Sequence, residues 1–311
     1  MIEQDQRKSK NYYLKDIFKE IISPYKNSLF WYKKSTVLSA VRLSLYKKMQ
    51  PNWFTTLSQR QWFIFDRYDT HARDLPWRQS QSPYETLVAE MMSQQTQLSR
   101  IIPKRHQRMT IMPTIQSCAI IDTQTLLGIW IWLWYNSRAL RLRDCAKQIC
   151  DIYDWIVPND YSRLIQLPWI GDYTASALCA FSYNQDIGVM DTNTIRICRH
   201  FFPDTQDRPR KKIKDFLQHI VPVGQSRRWY SALMDYATQH LHQRVNAPQS
   251  PFAWSRRQQR SRILKHLQVH KKTRYAELQK VIDSTYDMHQ IINQLWLDWF
   301  ITCDHEYVYL K

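Results

Sequence analysis

From residue 56 to residue 245 the apolar side chains recur at helical spacing and almost nowhere alternate, which predicts a helical fold with next to no sheet. The 311 residues leave room for one large domain or two modest ones around a sizeable core. With 44% hydrophobic and 23% charged residues the chain falls among globular rather than disordered sequences. Outside the helical stretch the pattern changes. Residues 1–55 are basic and aromatic, as in YKNSLFWYKKS, and read as an N-terminal extension. Residues 246–262 (NAPQSPFAWSRRQQRSR) read as a basic linker, interrupted by Pro248 and Pro251 and followed by Arg256, Arg257, Arg260 and Arg262. In residues 263–311, ILKHL, YAELQKVI and MHQIINQLWLDWF read as helices and ITCDHEYVYL as a closing strand or hairpin, the outline of a winged-helix-like module.

The formal net charge of +17, from 44 Lys and Arg against 27 Asp and Glu, favours a polyanionic partner such as nucleic acid. It is equally compatible with a merely basic soluble protein. No apolar run approaches the length of a membrane span, and the opening MIEQDQRKSK lacks an apolar signal core. The six cysteines are scattered without a CxxC pair, which suits reduced thiols in the cytoplasm.

Three segments carry chemistry. In Ser82-Pro83-Tyr84-Glu85 a Ser N-cap, a Pro at the first helical position and a Glu at the third predict a capping box. The helix is expected to continue through TLVAEMMSQQTQLSRII with Leu87, Met91 and Leu98 on one stripe. Glu90 flanks that stripe, so it either faces solvent or is a buried acid that must be satisfied or protonated. In DYSRLIQLPWIGDYTASALCAF, Leu167–Gly171 forms a tight turn and a second helix begins near Asp172. Such a turn is either an ordinary helix corner or a backbone cradle for phosphate. In GVMDTNTIRICRHFF, Asp191 is either a simple N-cap or a functional carboxylate at a helix start.

In order and spacing, LPWR (75–78), SPYETLVAEMMSQQTQ (82–97), IWIWLWYNSRAL (129–140), LPWIGDYTASA (167–177), VMDTNTIRI (189–197) and ALMDYA (232–237) resemble the helix-hairpin-helix (HhH-GPD) base-excision DNA glycosylases. Among these, the QQTQ segment and the LPW tripeptide are most similar to the MutY-like adenine DNA glycosylases. The resemblance implies an all-α, two-lobed core over residues 56–245 with an active site between the lobes. It implies Glu90 as general acid/base, Asp191 as the carboxylate that stabilises the sugar cation, and Tyr173 and Asn193 as supporting residues. Gln94 and Gln95 would enter the duplex near the extruded base, and Trp77 and Arg78 would help to form the base pocket. Trp169, Gly171 and Thr174 would lie in the DNA-binding hairpin. The implied protein is a monomeric, nucleoid-associated hydrolase that acts on duplex DNA containing a mispaired adenine, opposite guanine or 8-oxoguanine. The chemistry agrees. Adenine leaves once protonated, a carboxylic acid of raised pKa can donate that proton near neutral pH, and a carboxylate stabilises the oxocarbenium-like sugar left behind. Relatives that also cut the strand carry a lysine where this chain has Tyr173, so a monofunctional enzyme is expected.

The sequence departs from that family in three ways. The stretch TQHLHQRVNAPQSPFAWSRR that follows the ALMD segment has no cysteine, so the family's iron–sulfur cluster is expected to be absent. Arg256 and Arg257 would then supply DNA contacts, and a monovalent cation at the hairpin is the one ion left open. The residues after the core read as a winged helix and not as the family's 8-oxoguanine-reading domain, which is therefore expected to be absent, and this keeps thymine excision from T·G, or duplex binding without catalysis, as alternatives. Finally, there are four glycines and thirteen tryptophans. Trp132, Trp134 and Trp169 stand where the family has glycine, and Trp155, Trp299 and Trp254 stand at glycine-like turns, whereas Trp77 and Trp130 match family tryptophans. Some bacterial lineages read UGA as glycine and another common code reads it as tryptophan, so translation under the wrong table would produce this pattern.

Overall fold

The computed structural model describes residues 56–80, 82–94, 96–130, 136–241, 253 and 255–311; the N-terminal extension, most of the expected linker, Gln95, Trp132, Trp134 and Trp254 lie outside the described residues. The chain divides into residues 1–63 and 64–311, and the second unit holds the candidate site. In chain order the helices are α1 (Leu57–His71), α2 (Pro76–Gln79), α3 (Pro83–Ser93), α4 (Leu98–Ile111), α5 (Ile115–Ile120), α6 (Thr123–Trp130) and α7 (Ser137–Ile152). They continue with α8 (Tyr161–Leu164), α9 (Asp172–Phe181), α10 (Thr192–Phe201), α11 (Arg210–His219) and α12 (Ser226–His240). The C-terminal part is α13 (Arg256–His270), β1 (Lys272–Arg274), α14 (Tyr275–Leu278), α15 (Met288–Leu297), β2 (Ile301–Cys303) and β3 (Tyr307–Leu310). The described chain is thus mostly helical, as the periodicity predicts. None of its helices is long and apolar enough to cross a membrane.

Two groups of buried side chains organise the helices. Leu87, Val88, Met91 and Met92 of α3 join Leu140, Leu142, Cys145 and Ile149 of α7 and Ala175 and Leu178 of α9 in one apolar cluster. Around α10, α11 and α12 the buried residues are Ile195, Ile197, Phe201, Ile213, Leu217, Trp229 and Leu233. Their rings meet at angles, with Phe201 and Tyr236 centroids 5.1 Å apart and those of Phe202 and Phe216 4.9 Å apart. α9 packs against both α3 and α12 and so links the two groups. Its small residues Ala175, Ser176, Ala177 and Ala180 permit that close approach on both sides.

The expected linker ends earlier than the sequence suggested. Ser255 caps α13 by accepting from the Gln258 N–H at 3.4 Å, so Arg256, Arg257, Arg260 and Arg262 lie on a helix whose Gln259, Ile263, Leu264 and Leu267 are buried. The closing segment has the element order of a winged helix. It includes one strand that the sequence did not suggest, because β1 is only three residues long and exists through its pairing with β3. The sheet is antiparallel in the order β1-β3-β2, with Val308 opposite both Thr273 and Cys303. Its core side chains, with Leu278, Ile291 and Leu295, belong to the same apolar cluster as α3 and α7.

Candidate active site

Each carboxylate of the candidate pair is placed by a local signal. Ser82 caps α3, accepting from the Glu85 N–H at 3.4 Å, with Pro83 in the first turn. Only half of the expected capping box forms, because the Glu85 carboxylate pairs with Arg105 instead. Helix α3 ends at Ser93 rather than running on through Leu98. The cause is Arg138, whose buried guanidinium donates to the carbonyls of Met91 (3.0 Å), Met92 (2.6 Å) and Gln94, and to Thr96 Oγ1 at 2.8 Å. It satisfies the terminal carbonyls that a continuing helix would otherwise have used. Asp191 caps α10 in a complete capping box: its Oδ1 accepts from the Thr194 N–H at 2.7 Å, and Thr194 Oγ1 accepts from the Asp191 N–H at 2.8 Å.

The environments of the two acids differ. Glu90 is 8% exposed and its Oε2 has no hydrogen-bond partner. Burial pushes its carboxyl up from an ordinary 4.5 to about 7, the hydrogen bond from Tyr173 opposes that rise, and the Asp191 charge adds to it. Burial also raises Asp191, but there the Thr194 N–H and hydroxyl and the Asn193 amide favour the anion and hold the rise down. Asn193 Nδ2 donates to Asp191 Oδ2 at 3.0 Å, while Asn193 Oδ1 accepts from Arg196 at 3.3 Å. Arg196 therefore orients the amide that faces the carboxylate. It was within the VMDTNTIRI match but carried no assigned role, although its spacing of three from Asn193 on a helix was a readable signal. Tyr173 hydrogen-bonds to Glu90 and feels the charge of both acids, so its phenol is raised well above its ordinary value by burial first and by the two carboxylates next. The structure thus brings Glu90, Tyr173, Asp191 and Asn193 together, from α3, α9 and the start of α10.

Other expected site residues fare differently. Gln94 stays at the site, its Nε2 donating to Thr174 Oγ1 at 3.5 Å. Thr174 is 2% exposed, so its side chain serves that contact rather than the solvent side of the hairpin. Trp77 is partly buried against the apolar cluster. The Arg78 guanidinium pairs with Asp235 at 2.7 and 2.8 Å, and Arg73 binds the same carboxylate at 2.6 Å. Burial would raise Asp235, but the two arginines outweigh it and hold the carboxyl below its ordinary value. In the hairpin, Gly171 is the exposed N-cap of α9 with an ordinary φ of −90°, and Trp169 is exposed with φ +67° and its ring against Arg141. Asp172 is anchored by the Tyr161 hydroxyl (2.6 Å) and by Lys214. Arg256 is exposed on α13 and donates to Gln290 Oε1 at 3.0 Å, with Arg257 partly buried beside it.

Residues 88–223, which hold all four residues of the cluster, match the sequence profile of the HhH-GPD superfamily of base excision DNA repair proteins. The sequence is 36% identical over 169 residues to an adenine DNA glycosylase of Mycolicibacterium smegmatis, covering 54% of this chain and 58% of that one. It is 39% identical over 131 residues to an adenine DNA glycosylase of Mycobacterium tuberculosis, covering 42% of this chain and 43% of that one. The chain therefore spans about half the length of these curated relatives. In fold it is similar to a thermostable thymine-DNA glycosylase, with a TM-score of 0.56 at 21% identity over 63% of this chain and 89% of the other. The stretch between α12 and α13 has no cysteine, Cys118, Cys145, Cys179 and Cys198 are buried, and among the described residues no group of three or more His, Cys, Asp or Glu could hold a metal.

Proposed function

We propose that this chain hydrolyses the N-glycosidic bond of a mispaired adenine in duplex DNA and leaves the strand uncut. The observation that carries the reading is the divergence of two carboxyls around one tyrosine: Glu90 raised to about 7 and partnerless on one oxygen, Asp191 held by donors that favour its anion. Two acids pushed apart in this way divide the roles of proton donor and negative charge. Protonated Glu90 delivers its proton to a ring nitrogen of adenine, and the base departs with the bonding electrons. Asp191, fixed by Thr194 and Asn193, stabilises the oxocarbenium-like sugar. Water adds to the sugar carbon and gives up a proton, so that an abasic site and free adenine result. The base has to leave the stack first, at a cost of a few kcal/mol that a mispair lowers. Tyr173 offers no amine for a Schiff base, so no strand cut follows from the site itself. The basic surplus of +17 suits a duplex partner, and adenine rather than another base is supported by the adenine DNA glycosylases to which the chain is similar.

A panel of duplexes bearing A·8-oxoG, A·G and T·G, each assayed with and without alkaline workup, tests the reading. Strand breaks on the adenine duplexes that appear only after base treatment are expected. Release of thymine alone, or no release from any duplex, defeats the proposal. Asp191→Asn separates the charge from the cap. Asparagine caps a helix about as well as aspartate, so the melting temperature is expected to change little, whereas the single-turnover rate falls roughly 10²–10³-fold with the loss of the charge. A variant that melts early at full rate would make Asp191 a cap and nothing more.

A further inference from the structure

Trp155, Trp169 and Trp299 have φ values of +65°, +67° and +63°. A bulky residue in that region is an outlier, because its Cβ meets the following backbone, and glycine is the residue that occupies it freely. The other non-glycine residues with positive φ among those described are Asp154, Asn184 and Lys271, two of them from the Asp/Asn class that tolerates the region.

Each tryptophan sits at the position of its turn where glycine is the rule, and the three turns are of different kinds. After α7 the Ile156 N–H donates to the Tyr153 carbonyl at 2.9 Å, closing a turn whose central residues, Asp154 and Trp155, both have positive φ. That is the type I′ pattern, for which Asp-Gly is a favoured pair. In the hairpin the Ile170 N–H donates to the Leu167 carbonyl at 3.3 Å, with Pro168 first and Trp169 second in the turn. Proline followed by a positive-φ residue is the type II pattern, which takes glycine second. At the end of α15 the Phe300 N–H donates to the Leu295 carbonyl and the Trp299 N–H to the Trp296 carbonyl, both at 3.0 Å. Those two bonds make a Schellman motif with Trp299 at its left-handed position, usually glycine.

The side chains do not repay the strain. Trp155, Trp169 and Trp299 are 59%, 54% and 67% exposed, and their visible partners are surface cations, Arg141 at 4.5 Å from the Trp169 ring and Lys311 at 3.6 Å from the Trp299 ring. Trp130 and Trp229, by contrast, are fully buried and lie within helices. Trp296 is exposed but helical, so exposure alone does not separate the two sets.

We infer that the protein made in its own cell carries glycine at positions 155, 169 and 299, through UGA codons read there as glycine. The test is to read the gene and weigh the product. UGA at 155, 169 and 299, with UGG at 130, 229 and 296, and peptides of glycine mass from the protein isolated from its source, are expected. UGG at the three turn positions, or peptides of tryptophan mass, overturns the inference. As a physical check independent of the codons, the chain carrying W155G, W169G and W299G together is expected to melt higher than the tryptophan form by on the order of 10 °C. An equal or lower melting temperature removes the strain on which the inference rests.

Discussion

Replacing Glu90 by glutamine is expected to abolish excision and, above neutral pH, to make the protein more stable. Both effects follow from one buried carboxyl. Glutamine keeps the shape and can still accept from Tyr173, but it has no proton to give to the leaving base. Loss of a positioned acid costs roughly 10²–10⁴-fold, to be read as a single-turnover rate on the adenine mispair. The stability gain follows from the direction of the pKa shift. Glu90 is raised from an ordinary 4.5 to about 7 on folding, so between those values the folded state holds more protons than the unfolded state. Stability therefore falls as pH rises through that window, by on the order of 3 kcal/mol in total. The glutamine variant lacks this slope. Melting curves of the two proteins are expected to diverge from mildly acidic pH upward and to run parallel beyond the Glu90 pKa. For the unaltered protein, the proposed excision is expected to slow as pH rises through about 7, where the donor loses its proton. Full activity in Glu90→Gln removes the acid from the mechanism, and melting curves that never diverge remove its burial.

How much of this was legible in the sequence depends on how local the cause was. The start of α3 at Ser82 and the start of α10 at Asp191 could be read because capping involves residues three apart. The hairpin helix beginning at Asp172 could be read from the turn before it. The end of α3 could not, because it is set by Arg138, more than forty residues downstream. Glu85 was assigned to its own cap but is taken by Arg105 on α4. Arg78 was assigned to a base, while its partner Asp235 lies 157 residues away on α12. The burial of Glu90 is the most instructive case. Its position beside a core stripe permitted both solvent and interior, and only the packing of α9 across α3, which puts Tyr173 against it, decides for the interior. The four residues that the resemblance named lie together in the structure; what it left out was their support, Arg196 behind Asn193 and Arg138 behind the Glu90 helix.

Arg138→Met is expected to destabilise the protein by about 3–5 kcal/mol and to slow excision beyond what that loss explains. The arginine is 4% exposed and ends α3 by donating to three backbone carbonyls and one hydroxyl. Methionine fills much of the volume and satisfies none of those acceptors, so several buried carbonyls lose their partner at once. One effect runs the other way. Arg108 is fully buried nearby, and its guanidinium is lowered to about 10 by burial first and by the Arg138 charge second. Removing Arg138 relieves that repulsion, but since burial is the larger cause of the Arg108 shift, the relief is the smaller quantity and the net effect remains a loss. The kinetic consequence comes from position. Glu90 immediately precedes Met91 and Met92, whose carbonyls Arg138 holds, and Gln94, whose carbonyl it also holds, reaches Thr174 on the helix that carries Tyr173. Freed of Arg138, the end of α3 can run on as helix or fray, and either outcome moves the proton donor relative to Asp191. Arg138→Lys keeps the charge but not the planar fork, so it is expected to recover part of the stability and less of the rate. Chemical denaturation of the three proteins beside single-turnover rates checks this. A methionine variant as stable as the parent, or a lysine variant that restores rate and stability equally, would show that Arg138 does not hold the donor helix in place.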